Sequence, residues 1–345
     1  MSSRPDKILM ITPFQRSQRG NRITSTRLKK GLEARGYTID LVSLEETNAV
    51  LQLEEKLKNK PYAFIHAFHA LHWGRLLEKL PRMQEIPILL TTTGTDLHFD
   101  LHGKDATLIK KSLFSAQKIV CFHQDFIALI SARYPALLPR LMVIPQGIDF
   151  PPVDAPTSRP VDFQQDDFIF FFPSGLRPVK NFELLLDALE KIQPDYPHLK
   201  LLIIGAIIDP QYGQKILARI KTLPWVTYLG EIPHENVPDL ILCANVVVNS
   251  SQAEGQPQGA LEAMSLGLPC ILTAVPGNLH IIENGREGFY VHNAAELARA
   301  ARLFMDNPQL TKTMGLAACE LVAKYFSWEN ELNAYVDLYR QLVIK

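Results

Sequence analysis

The sequence predicts an α/β fold built twice, as two parallel sheets each covered by helices on both faces. Three observations carry that reading. Apolar strand-like runs alternate with helical patterns through both halves of the 345-residue chain. Those runs are continuously hydrophobic, as parallel strands buried on both faces are, and do not alternate in polarity. Between the halves, residues 149–167 hold four prolines among polar residues, the composition of an interdomain linker. A chain this long also exceeds what one hydrophobic core supports.

In chain order, "KILMITPF", "TIDLVSL", "YAFIHAF", "IPILLTTT", "KIVCFH" and "LMVIP" are the expected strands of the first domain. Those of the second are "FIFFFPSG", "LKLLIIGA", "VTYLGE", "NVVVNSS" and "PCILTAV". The helical patterns between them supply crossovers, so two doubly wound, Rossmann-like domains facing a cleft follow. The expected boundaries are 1–152 for the first domain, 153–166 for the linker, 167–326 for the second domain and 327–345 for a terminal helix. That helix is amphipathic and either caps the second domain or crosses back to the first.

Composition narrows the class. Lys and Arg total 36 and Asp and Glu total 36, so the chain lacks the overall positive field of a nucleic-acid binder, and no nucleic acid is expected as a partner. The start "MSSRPDKILMITPF" does not read as a signal peptide, and no run reaches the roughly 18 apolar residues that cross a bilayer. Cys121, Cys243, Cys270 and Cys319 are scattered, without metal-like pairing, and read as buried free thiols in a reducing cytoplasm. Nothing in the pattern indicates an oligomeric state.

The stretch "SQAEGQPQGALEAMSLGLP" sets Glu254 and Glu262 eight positions apart, too far for neighbours on one helix face. A strand ends before it, and a helix begins within it and stops at Gly267 before Pro269. Glu254 therefore lies in the loop and Glu262 about one turn inside the helix. The helix N-terminus at Gly259 and Ala260 falls between them, where backbone N–H groups and the macrodipole favour an anion. This order suits a ligand with a polyol at each end and a diphosphate in the middle. Upstream, "FFFPSGLRPVKNFELLLDALE" is a strand, a tight turn and a helix, with Arg177 and Lys180 at the carboxyl end of the strand. The pair is placed to clamp a diphosphate or is two exposed cations near a helix start.

Taken together, "SGLRPVKN" and "AEGQPQGALEAMSLGLP" resemble the retaining glycosyltransferases of family four (group 1), which have the GT-B fold. The resemblance extends over nearly the whole chain through "VIPQGID", "GEIPHENVPDLILCANVVVNSS", "GREGFYV" and "FSWE". On "RGNRITSTR", "TGTDL" and "GLRPVKN" it runs to the glycosyltransferase 1 domain-containing proteins and, more loosely, to bacterial selenosugar synthases. It implies that Glu262 binds the ribose hydroxyls of a nucleotide-sugar and Glu254 a hydroxyl of the donor sugar. Arg177 and Lys180 would hold the diphosphate with the amides near Gln258, Gly259, Ala260 and Leu261, and Gly175, Glu231 and Ile232 would complete the donor site.

The first domain is less decisive. "TPFQRSQRGNRITSTRLKKGLEARGY" places Gly20 and Asn21 before a helix, where the resembling family approaches the donor phosphate and the acceptor with a glycine-rich loop; only one glycine is present here. Around it Arg16, Arg19, Arg22, Arg27, Lys29, Lys30 and Arg35 face a single acid, Glu33. That run is either a solvated helix face or a surface for an anionic acceptor, small or lipid-linked, or for a peripheral membrane contact. "TTTGTDLHFD" departs from the family, which often places a histidine at this cleft edge to touch the donor sugar; Thr95 and Asp96 stand in its place, the latter also suited to hydrogen-bonding the sugar, binding a basic acceptor or capping the following helix. His66, His69 and His72 invite a metal site, yet they cross from a strand into a helix and would not share a face. No metal is expected, and His69 remains as polar cleft lining.

The expected activity is sugar transfer from a nucleotide-diphosphate donor, a UDP-sugar in the first instance, with retained configuration and without a cofactor. Alternatives are a selenosugar or thiosugar synthase, an epimerase or phosphorylase on the same fold, and a nucleotide-sugar binder without turnover.

Overall fold

The structure is a computed structural model, and residues 7–14, 20–59, 62–98, 101–150, 161 and 163–343 are described. It divides into two units, Met1–Gly147 with Trp328–Lys345, and Ile148–Ser327. The linker expected at 153–166 lies largely outside the described residues. Val161 and Phe163, which are described, pack against the core of the second unit.

The first unit runs β1 (Lys7–Thr12), α1 (Gly20–Ala34), β2 (Thr38–Ser43), α2 (Ala49–Asn59), β3 (Phe64–Phe68), α3 (Ala70–Lys79), β4 (Ile88–Thr91), α4 (Thr95–His98), α5 (Ala106–Ser115), β5 (Lys118–Cys121), α6 (Gln124–Arg133) and β6 (Leu141–Val143). The second runs β7 (Phe168–Pro173), α7 (Phe182–Ile192), β8 (Leu199–Ile204), α8 (Pro210–Ile220), β9 (Val226–Tyr228), α9 (Val237–Ile241), β10 (Val246–Asn249), α10 (Gln258–Ser265), β11 (Cys270–Thr273), β12 (Gly288–Val291), α11 (Ala294–Asp306) and α12 (Pro308–Tyr325). The terminal helix, α13 (Trp328–Val343), belongs to the first unit.

Each unit holds one six-stranded sheet, ordered β2-β1-β3-β4-β5-β6 and β12-β11-β10-β7-β8-β9. The pairings are parallel, for example Ile8 with Phe64 and Val246 with Phe170. All eleven apolar runs of the sequence are strands. The twelfth strand, Gly288–Val291, follows Asn284–Glu287 and pairs in parallel with β11. It was not singled out because only its two ends are buried, so its signal is half that of a central strand.

Helices cover both faces of each sheet because the strands are apolar on both. In the second unit one core joins Phe170, Phe172, Leu201 and Ile203 to α7 and α11, and another joins Phe171, Leu202 and Val247 to α10 and α12. In the first unit α13 buries Leu332, Tyr335, Val336 and Tyr339 against Ile8, Met10, Phe64 and Phe68. Arg27 fixes it further by donating to Glu331 at 2.5 Å and to the Gly147 carbonyl at 2.6 Å.

In each sheet the chain reverses its direction of strand addition once. The reversal falls between β1 and β3 in the first unit and between β7 and β10 in the second. Open parallel sheets bind ligands outside the carboxyl ends of the strands at such a point.

Candidate functional site

The loops leaving β7 and β10 meet at the reversal of the second sheet. After β7 the chain turns through Gly175, where a Cβ would come within 2.6 Å of Ile208 Cδ1. Ser174 and Leu176 donate their amides to the carbonyls of Ile204 and Ala206, which fastens this turn to the loop after β8. Arg177 is extended, with φ −156°, and a single 3-10 turn, Pro178–Lys180, then delivers the lysine. Ser250 at the end of β10 donates its hydroxyl to the carbonyls of Lys180 and Asn181, at 2.9 and 3.1 Å. Gln252 donates its amide to the Val179 carbonyl. Two motifs about seventy residues apart are thereby held together through the backbone carbonyls of residues 179–181.

Lys180 Nζ donates to Glu254 Oε1 at 2.5 Å, and the two side chains are 14% and 8% exposed. The same oxygen accepts from Ser251 Oγ at 2.6 Å and Asn249 Nδ2 at 2.8 Å. Burial alone would push the Glu254 pKa up; the Lys180 charge and these three donors override it and hold the group below the usual carboxylate range. Asn249 is set in turn by Asn278, whose amide donates to Asn249 Oδ1 at 3.1 Å. Gly277, at φ +87°, lies so close that a Cβ there would overlap the Glu254 carbonyl oxygen.

Four residues beyond Glu254, α10 begins at Gln258. A Cβ on Gly259 would stand 3.0 Å from the Pro173 carbonyl oxygen, so glycine lets the helix start lie directly on the end of β7. The side chains of Ala260 and Leu261 are buried in the core. Of the amides expected to face a ligand, that of Leu261 donates to the Pro257 carbonyl at 3.0 Å and that of Gln258 to the Gln256 carbonyl at 2.8 Å, because the first turn of α10 closes on its own preceding loop, so those of Gly259 and Ala260 are left for the role. Glu262 is one turn on, and His234 Nε2 lies 2.9 Å from its Oε1. Glu231 is exposed, whereas Ile232 packs against the core.

The structure brings Lys180 and Glu254 into contact and sets the start of α10 between the two glutamates in sequence. It does not leave Lys180 and Glu254 independent, as the sequence reading had them: they are one buried ion pair. Three partners escaped that reading. His234 lies in "GEIPHENVPDLILCANVVVNSS" with nothing in the sequence to assign it a role, and Asn249 and Ser251 read as strand-end polar residues; an Asn and a Ser within five positions of a candidate glutamate are the available signal.

In the first unit, Gly20 and Asn21 open α1. Arg16 and Arg19 lie outside the described residues, as do the side chains of Asn21, Arg22 and Thr95. Asp96 is wholly buried and accepts from the amides of Ala70 at 2.7 Å and Thr93 at 3.0 Å. It caps α3, not the following helix, because its carboxylate is aimed at the first amide of α3. His69 precedes α3 at φ 70°, 7% exposed, edge-on to His72 with ring centroids 4.6 Å apart. His66 turns the other way into the core, between Tyr339 Oη at 2.6 Å and Thr91 Oγ1 at 2.8 Å. The three histidines therefore do not converge, and no cluster able to hold a metal occurs among the described residues.

The basic run is also partly committed. Arg27 pairs with Glu331, Lys29 with Glu33, and Arg35 with Glu329. Two of those acids lie on α13, so a count over one sequence window overstated the local positive charge.

Residues 155–320 match the family model described as Glycosyl transferases group 1. The chain is 26% identical over 353 aligned positions to Glycosyltransferase 1 domain-containing protein 1 of Xenopus tropicalis, covering 98% of this chain and 99% of that one. It is 29% identical over 250 positions to D-inositol 3-phosphate glycosyltransferase of Streptomyces griseus, covering 67% of this chain and 53% of that relative. Sucrose-phosphate synthase from Thermosynechococcus elongatus superposes with a TM-score of 0.82 at 21% identity, over 98% of this chain and 99% of that one. Anabaena HepE, solved in complex with UDP and glucose, does so with a TM-score of 0.77 at 17% identity, over 97% and 99%. These superpositions show a shared GT-B fold.

Proposed function

We propose, for a chain that belongs to the group 1 glycosyltransferases and has the GT-B fold, that it transfers a sugar from a nucleotide-diphosphate donor with retained anomeric configuration. The observation that carries this reading is the Lys180–Glu254 contact at the reversal of the second sheet, with the start of α10 following along the chain. Glu262 accepts from the ribose hydroxyls and Glu254 from a hydroxyl of the sugar. Arg177, Lys180 and the amides of Gly259 and Ala260 face the diphosphate. Lys180 has three N–H donors, so holding Glu254 leaves it able to donate to phosphate as well.

In the reaction the acceptor oxygen bonds to the anomeric carbon on the face from which the diphosphate oxygen departs. The acceptor proton passes to that departing oxygen, and nucleoside diphosphate leaves. Charge on the leaving oxygen grows towards the transition state, so Arg177 and Lys180 act more on rate than on binding. UDP is the favoured nucleotide, because HepE is solved with UDP and with UDP-glucose. An anionic acceptor is favoured by the phosphate in the name of the Streptomyces relative and by the exposed Lys30 in the basic run.

The test is release of nucleoside diphosphate from UDP-, GDP- and ADP-sugars with phosphorylated acceptors, in excess chelator, with the product anomer read by NMR. Retained configuration and release undiminished by chelator are expected. An inverted product refutes the stereochemistry. Activity restored only by a divalent cation refutes metal independence, and binding without release in any combination refutes turnover.

A further inference from the structure

We infer that His234 is a positioning residue for Glu262, holding its carboxylate so that the site prefers ribonucleotides to 2′-deoxyribonucleotides. This rests on the proposed assignment of Glu262 to the ribose. Glu262 sits on a rigid part of α10, with Leu261 and Ala263 on either side wholly buried. Its own side chain is 15% exposed and turns about three torsions, so the helix fixes its root and not its oxygens. His234 supplies the missing constraint. It opens the 3-10 turn His234–Asn236 after β9, and its Nε2 stands 2.9 Å from Glu262 Oε1.

The imidazole is itself held. Its ring lies against Phe150, with centroids 4.8 Å apart and planes inclined at 38°, and Phe150 packs on the core of the second unit. An ionised carboxylate only accepts, so Nε2 carries the proton in this contact. With Oε1 oriented by that N–H, Oε2 is aimed for a ribose hydroxyl. A vicinal diol rewards an acceptor at a fixed angle, and a 2′-deoxyribose returns only part of that interaction. A site built to bind a hydroxyl rejects the analogue that lacks it.

The experiment begins with calorimetric titration of UDP, GDP and ADP and of their 2′-deoxy forms. The pair with the tightest ribonucleotide is then titrated against His234→Ala, His234→Gln and Glu262→Gln. His234 is 39% exposed, so its replacement leaves the core intact. The wild type should prefer the ribonucleotide by about tenfold or more, as one hydrogen bond to a charged group implies. Glu262→Gln and His234→Ala should both lower that preference to within about twofold of unity, and His234→Gln, which keeps an N–H donor, should restore much of it. In turnover His234→Ala should raise the donor KM and leave kcat within about threefold.

A preference unchanged in His234→Ala but lost in Glu262→Gln overturns the positioning role and leaves the ribose assignment standing. A preference unchanged in Glu262→Gln overturns the ribose assignment, and this inference with it. A wild type that binds no nucleotide, or does not discriminate, overturns both. Loss of thermal stability in His234→Ala with the preference intact assigns His234 a structural role only and refutes the inference.

Discussion

Replacing either member of the Lys180–Glu254 pair should destabilise the second unit severely, and replacing both should cost much less than the sum. Lys180 Nζ and Glu254 Oε1 are 2.5 Å apart with side chains 14% and 8% exposed, so each charge has exchanged most of its hydration for the other. Removing one member of such a buried pair leaves an uncompensated charge and costs about 3–5 kcal/mol. Lys180→Met leaves Glu254 buried without its cation while Ser251 and Asn249 still donate to it, and Glu254→Gln leaves a buried ammonium facing an amide. For a domain of this size, ~2–4 °C of melting temperature is lost per kcal/mol, so each single variant should melt on the order of 10 °C lower by calorimetry. The double variant removes both charges, and a coupling of about 2 kcal/mol or more should appear in the cycle. The pH dependence follows from the lowered Glu254 pKa. The stabilisation is present above the ordinary carboxylate range and is lost as pH falls through the depressed native value, so Glu254→Gln should flatten the acid limb. Single variants costing under about 1 kcal/mol, or a cycle additive within about 0.5 kcal/mol, would refute the pair as a unit. The same reasoning changes how Glu254→Ala must be read. It frees Lys180 from its partner and, on the proposed assignment, also removes the sugar contact, so donor affinity and turnover should fall together.

Two further outcomes are expected. Gly277→Ala must place a Cβ against the Glu254 carbonyl at φ +87°, so it should cost about 2 kcal/mol or more and displace the glutamate; wild-type melting and turnover would sink this account. His66 is buried and its pKa is pushed down to about 3, so below the usual imidazole value the unfolded chain takes up a proton that the native chain does not. Stability should therefore fall as pH drops from about 6.5 towards 3, by about 2 kcal/mol between pH 6.5 and 5. The urea-derived stability difference between wild type and His66→Gln should shrink by that amount from pH 7 to pH 5; a constant difference would refute it.

The fold was legible because its signal is local. Each run such as "FIFFFPSG" or "LKLLIIGA" declares itself a doubly covered strand, and all eleven such runs form the sheets. Strand order is not local, and the reversal between β7 and β10 emerges only when β10 is seen beside β7. The site was legible to the same depth. Glu254, Glu262 and the helix-start glycine between them, Gly259, follow from a strand-to-helix turn read along the chain. What each glutamate touches comes from elsewhere: Lys180 lies 74 positions from Glu254, and His234 lies 28 from Glu262. The histidine triplet shows the same division. That it crosses from a strand into a helix and cannot share one face is local and legible, whereas the partners it meets, Tyr339 of the terminal helix for His66 and Asp96 for His69, are not.

The partners of the two glutamates bear on how carboxylates would stand beside a diphosphate in the proposed donor site. At an effective dielectric of about 20, a bare carboxylate about 6 Å from a phosphate charge would oppose it by nearly ~3 kcal/mol. Two such groups would cancel much of what Arg177 and a helix N-terminus contribute. The structure answers the objection at each carboxylate separately. Glu254 is neutralised by a lysine on its own oxygen, and Glu262 receives an imidazole N–H on one of its two oxygens. Each keeps the capacity to accept from a hydroxyl while presenting less negative field to the phosphates. On the proposed assignment Lys180 would serve the donor twice, by attracting the diphosphate and by masking the carboxylate that binds the sugar. A lysine replaced by arginine keeps the charge but brings a planar fork where a compact ammonium fits, so Lys180→Arg is no conservative change here.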